Sequence, residues 1–215
     1  LVHPEDPNTY GAFSWGDTRF VILDCGEDKP DEHPVYYGMN DFTAFREAQK
    51  EFLLKEMRSR AFRRANRRIL VSHIPLWGSD DKYQPCTELW TPVLEHAHFD
   101  LALAGHTHKR AFHSTGKANN PFPICIGDGP KESEAVILVL RKQGKDLTLK
   151  MLNSKGKELD SWGYKPPPAP AKQFPLTSEM NLRFHLAQNA TDVASRNNKS
   201  IAVVLWWHHG DFSIF

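Results

Sequence analysis

Two short apolar runs that each break off at a histidine constrain this chain more than any other feature. Ile69-Leu70-Val71 leads into Ser72-His73-Ile74-Pro75, and Asp100-Leu101-Ala102-Leu103-Ala104 leads into Gly105-His106-Thr107-His108. Runs that are apolar throughout, rather than at every second position, read as strands covered on both faces. A third run, Arg19-Phe20-Val21-Ile22-Leu23, sits between Gly16-Asp17 and Cys25-Gly26. Residues 25–40 then read as a loop. From Asp41 onward Phe42, Phe45, Gln49, Phe52, Leu53 and Met57 recur at three- and four-residue spacing, which predicts a helix capped by Asn40 or Asp41. A further helix is expected over 87–97, and later strands over Phe122–Ile126, Ala135–Arg141 and Leu147–Leu152, with a Gln143-Gly144-Lys145 turn. Strands alternating with helices predict an α/β core with a largely parallel sheet. In such a sheet the carboxyl ends of the strands share one edge, and ligands bind there, so the two histidine groups are expected to converge.

Composition narrows the partners. At 215 residues and 40% hydrophobic, the chain can bury a real core and is no short disulfide-stapled peptide. Its 27 Lys and Arg against 26 Asp and Glu leave a formal charge of +1, so no general attraction to nucleic acid or anionic lipid follows. No stretch approaches the roughly 18 consecutive apolar residues that span a bilayer. The N-terminus lacks the basic-then-apolar pattern of a secretory signal. Arg63, Arg64, Arg67 and Arg68 read as a solvated helix end, with cations near the negative pole of the dipole, in preference to a nucleic-acid site. Charged residues number 45 in the first 160 positions and 8 in the last 55. The expected division is therefore a main domain over 1–160, a Pro-rich linker over 161–175 around Pro166-Pro167-Pro168, and a tail over 176–215 of unassigned structure. Within that tail, Ile201–Trp207 is a β-prone run.

The histidines carry the chemistry. Gly105 is expected to make the sharp turn after its strand. His106 and His108, two apart on a non-helical segment, can then both project into one cavity. Neutral imidazole is a preferred ligand for zinc, iron or manganese, so three of them meeting would mark a metal site.

Val71-Ser72-His73-Ile74-Pro75 together with Gly105-His106-Thr107-His108 resembles the last two signature motifs of the calcineurin-like metallophosphoesterases, the superfamily that includes purple acid phosphatases. The resemblance runs from about Tyr10 to Leu152 and takes in Gly127-Asp128-Gly129-Pro130. It implies a partial β-sandwich flanked by helices, with an unassigned C-terminal tail. It also implies hydrolysis of phosphate esters at two divalent or trivalent ions of the Mn, Fe or Zn class. His73 and His106 would bind the second ion and His108 the first. Lys109, Arg110 and His113 follow closely enough to reach a bound phosphate or support the ligands.

The front half of the family pattern is missing: Asp-x-His after a strand, Gly-Asp with its bridging carboxylate, and Gly-Asn-His. Asp31-Glu32-His33 matches the first by letter but sits between two prolines in a polar loop. Ala111-Phe112 stands where purple acid phosphatases continue with an aromatic residue, Glu and Arg. The expectation is a C-terminal portion of a larger hydrolase that lacks the first half of the domain. Alone it would be inactive, and it would carry an exposed sheet edge that favours aggregation or a partner. The rivals are a non-catalytic binding module on a degraded phosphoesterase scaffold and a single-metal structural domain. His96-Ala97-His98 at a helix end, His208-His209 in the tail, and Asp24 and Glu27 near a strand end are read as non-ligands. No substrate identity or localisation follows from the sequence.

Overall fold

The computed structural model describes residues 9–144, 146–164, 205–208 and 211–214. Along the chain these form β1 (Gly11–Trp15), β2 (Thr18–Leu23), a 3-10 turn (Pro34–Tyr36), α1 (Phe42–Arg58), α2 (Arg60–Arg64), β3 (Arg67–Ser72), α3 (Pro85–Leu94) and β4 (Leu101–Ala104). There follow β5 (Ala111–His113), β6 (Ile124–Ile126), β7 (Val136–Gln143), β8 (Asp146–Asn153), β9 (Glu158–Tyr164), β10 (Leu205–His208) and β11 (Asp211–Ile214). Six strands make one sheet in the order β1-β2-β3-β4-β6-β5. β2, β3, β4 and β6 are parallel, and β1 and β5 close the two sides antiparallel. β7, β8 and β9 form a separate antiparallel sheet, and β10 pairs with β11. β9 continues past the composition break at residue 161; positions 165–204, most of the expected linker and tail, lie outside the described residues.

The continuous apolar runs are explained by cover on both faces of the sheet. Alternate residues of a strand point to opposite sides. Phe20, Ile22, Ile69, Val71, Leu101 and Leu103 meet Leu138, Leu140, Leu147, Leu149 and Met151 of the second sheet, which makes a β-sandwich. Val21, Leu23, Leu70, Ala102 and Ala104 pack on the helical layer with Leu53, Phe62, Trp90 and Leu94. The α/β sandwich flanked by helices is thus the architecture of the chain.

Helix α1 starts where its spacing predicts. Asp41 accepts from the Ala44 N–H at 3.2 Å, and Asp31, eleven residues before the first helical turn, accepts from Phe42 N–H and Thr43 N–H at 3.0 Å. Four orphan donors begin any helix, and two carboxylates here satisfy three of them. The buried stripe keeps Gln49 and Leu53 of the expected one but replaces its aromatic positions with Arg46 and Glu56. It consists of Arg46, Gln49, Leu53 and Glu56, with Phe42, Phe45, Phe52 and Met57 half-buried beside it. Polar groups can occupy that stripe because each finds a partner. Gln49 Nε2 donates to Asp24 O at 2.6 Å and its oxygen accepts from Asp24 N–H at 2.8 Å. Arg46 donates to Cys25 O, Glu27 O and the Tyr83 hydroxyl at 2.9–3.0 Å.

Three local expectations change. The arginine cluster is not one helix end: Ser59 stops α1 and caps a second helix by accepting from Phe62 N–H at 3.0 Å, and only Arg63 and Arg64 lie in its last turn. Arg67 and Arg68 already belong to β3. Helix α3 spans 85–94 rather than 87–97, since Pro85 pre-sets the first turn and the helix ends before His96. β1 was not expected, although Gly16-Asp17 between two apolar runs is a hairpin signal.

Candidate metal site

β3 and β4 are parallel neighbours, so His73 and His106, just beyond their carboxyl ends, emerge side by side. The backbone ties the two motifs together, Gly105 N–H donating to His73 O at 2.9 Å. The rings meet edge to face, with centroids 5.0 Å apart and His106 Nδ1 3.3 Å from His73 Nε2. The left-handed backbone of the turn falls on His106 (φ 69°) and His108 (φ 54°), not on Gly105 as expected. Non-glycine residues adopt this conformation uncommonly; Tyr37, His98 and Asn119 share it among the described residues. His106 and His108 line one open cavity with Gly105, Gly127, Asp128 and Val136. His108 also lies close enough to His73 to oppose its protonation.

Burial first, then the neighbouring His106 and His108, pull the His73 pKa down to about 4. His73 is therefore a neutral imidazole at pH 7, the protonation state in which histidine binds a metal. Two carboxylates face the other side of His106: Asp81 Oδ2 stands 3.6 Å and Asp28 Oδ2 4.0 Å from Nε2. Lys29 pairs with Asp28 and, with His106, holds that carboxyl below its usual range. Ser79 hydrogen-bonds Asp81.

Sequence reasoning missed Asp28 and Asp81. Their signal was positional, since Glu27-Asp28-Lys29 follows β2 at the same sheet edge and Asp80-Asp81 follows the His73 turn.

The remaining candidates take structural places. Asp31 caps α1, and His33 caps the 3-10 turn by accepting from Val35 N–H at 3.3 Å. Asp24 and Glu27 receive Gln49 and Arg46 through their backbone oxygens. Arg110 lies 3.9 Å from Asp128, and Lys109 is exposed. Both ring nitrogens of His113 are buried without a hydrogen-bond partner among the described residues, and the ring packs against the open α-carbon of Gly78. His96 and His98 are exposed beyond α3. His209 lies outside the described residues.

Two nitrogens on one ion with bonds of about 2.1 Å stand roughly 3.0–3.4 Å apart. The His73–His106 pair has that separation, which is equally that of a hydrogen bond between the two rings. Among the described residues no three His, Cys, Asp or Glu side chains are arranged to hold a metal. The residues therefore do not fit a pair of ions.

No family model matches the chain, and no curated protein matches it. Among solved structures the chain is similar to GAP50, the anchor in the inner membrane complex of Plasmodium, at 15% identity and a TM-score of 0.47, covering 75% of this chain and 56% of that one. It is also similar to the purple acid phosphatase PPD1 from yellow lupin (Lupinus luteus) seeds, at 14% identity and a TM-score of 0.45, covering 72% of this chain and 32% of that one. The chain thus spans little more than half of the first structure and a third of the second. No helix among the described residues is long and apolar enough to cross a membrane.

Proposed function

We propose that this chain supplies the histidine edge of a metal-dependent phosphoesterase, and that turnover requires donors from beyond the residues described. The observation that carries the reading is the 3.3 Å meeting of His106 Nδ1 and His73 Nε2 at adjacent parallel strand ends. His73 and His106 would hold one ion, and His108 would face it from the shared cavity. A bound ion of the Mn, Fe or Zn class would offset the charge of a phosphate ester and lower the pKa of a coordinated water. His73, neutral because it is buried, offers its lone pair with no proton to displace. Arg110 and Lys109, beyond the same turn, offer positive charge to a phosphate. Asp28 and Asp81 face the outer side of His106 at 3.6 to 4.0 Å and would orient its ring on closer approach.

The test is calorimetric titration of the purified chain with zinc and with manganese, alongside a chromogenic phosphomonoester and diester assay. We expect binding of one ion, weakened at least about tenfold in His73→Ala and in His106→Ala, and no turnover by the chain alone. Equal binding by wild type and variants, or none by either, overturns the metal role and leaves a non-catalytic binding module. Hydrolysis by the isolated chain overturns the need for further donors.

A further inference from the structure

Two of the three cysteines lie together. Cys25 follows β2 and Cys86 opens α3, 61 residues later, and both are buried in the core on the helical side of the sheet. Cys86 Sγ points to the Cys25 carbonyl oxygen at 3.9 Å, and Cys25 Sγ points to Ile74 O at 3.8 Å. The neighbouring Cys86 thiol, together with burial, pushes the Cys25 thiol well above its ordinary pKa. Both residues line one small cavity with Pro75, Tyr83 and Pro85. Cys125 sits on the opposite face of the central sheet, in the sandwich core, where burial raises its thiol to about 12.

We propose that Cys25 and Cys86 form an intrachain disulfide when the chain folds under oxidising conditions, while Cys125 remains a thiol. A disulfide needs its two residues close enough for a Cβ separation near 4 Å. Cys86 Sγ lies 3.9 Å from the Cys25 carbonyl oxygen and both residues line the same small cavity, so the two side chains are neighbours in the core. With a small-molecule disulfide such as oxidised glutathione, one cysteine thiolate attacks a glutathione sulfur and releases the first glutathione thiolate. The second cysteine then attacks the mixed disulfide and releases the other. One S–S bond is broken and one is made. The two cysteines lose two electrons and two protons, and both are recovered in two reduced glutathiones. Buried, protonated thiols exchange slowly, so the bond is set during folding and the native dithiol oxidises sluggishly. The bond closes a loop from β2 to α3 and ties the segment just before Asp28 to the segment just after Asp81. It thereby fixes both carboxylates beside His106.

The test is refolding of the full chain from denaturant in mixtures of oxidised and reduced glutathione, followed by acid quench, thiol alkylation and peptide mapping by mass spectrometry. The expected product carries one alkylated cysteine, Cys125, and a linked Cys25–Cys86 peptide pair. Its melting temperature lies several degrees above that of the reduced chain, as closure of a loop this long predicts. Cys125→Ser keeps the gain and Cys86→Ser abolishes it. Three alkylated cysteines after refolding in excess oxidised glutathione overturn the proposal, as does a bond through Cys125 or between chains. None of these readouts depends on metal binding or hydrolysis.

Discussion

At the amino-terminal edge of the central sheet, where β2, β3 and β4 begin, charges meet opposite charges, from buried Arg67 and Asp100 to exposed Asp17. Arg19 grips Glu56 through two bonds of 2.7 and 3.0 Å, Lys142 lies 2.8 Å from Asp17, and Arg67 lies 3.8 Å from Asp100. At the carboxyl-terminal edge His73 meets another imidazole, and the carboxylates of Asp28 and Asp81 stand 3.6 to 4.0 Å from His106, beyond hydrogen-bond reach. The first edge neutralises its charges within the fold. The second brings two imidazoles within hydrogen-bond distance of each other and leaves the two carboxylates that face His106 outside it.

Three measurements sharpen or break this contrast. The largest effect belongs to the amino edge: Glu56→Ala leaves the half-buried Arg19 guanidinium without its carboxylate and is expected to cost roughly 4 kcal/mol in urea unfolding at neutral pH. A loss under about 1 kcal/mol would mean that Arg19 is solvated after all.

The next belongs to His73. Its folded pKa of about 4 lies below its ordinary 6.5, because burial and the neighbouring histidines disfavour the cation. Between those values the unfolded chain binds a proton that the native chain does not. In metal-free buffer stability is therefore full above pH 6.5, falls as pH drops toward 4, and loses no more from this group below that. The loss is about 3 kcal/mol at most. Subtracting the pH–stability profile of His73→Gln isolates it; matching profiles between pH 7 and 4 would remove the depressed imidazole.

The smallest effect separates two left-handed glycines. Gly16, in the β1–β2 turn at the amino edge, has φ +59° and open space around it, so Gly16→Ala costs roughly 1 kcal/mol. Gly78, in the loop after His73, has φ +82° and would bring a Cβ within 2.7 Å of the His113 ring, so Gly78→Ala costs roughly 2 kcal/mol or more. Equal costs in thermal melts would show that the carboxyl-edge loop is looser than its packing.

Much of this is local and therefore legible in residue order. β2, β3 and β4 were expected from their apolar runs because a strand covered on both sides needs little else. The cap of α1 was expected at Asn40 or Asp41, and Asp41 takes it. Of the buried stripe of α1, Gln49 and Leu53 were legible from the spacing, but Arg46 and Glu56 were not, since they are buried only by virtue of backbone oxygens and an arginine far away in the chain. The shift of the left-handed backbone from Gly105 onto the histidines was hidden for a similar reason: a glycine permits such angles, but packing decides which residue takes them.

Short-range order alone set the strand positions, the start of α1, and the fact that His73 and His106 stand at strand ends, because hydrophobic run length and capping act over a few neighbouring residues. The folded chain decided which distant groups meet: Asp28 and Asp81 beside one imidazole, Cys25 beside Cys86, Glu56 on Arg19. Such encounters depend on how sheets and helices pack, and packing leaves no period in the sequence from which they could be read.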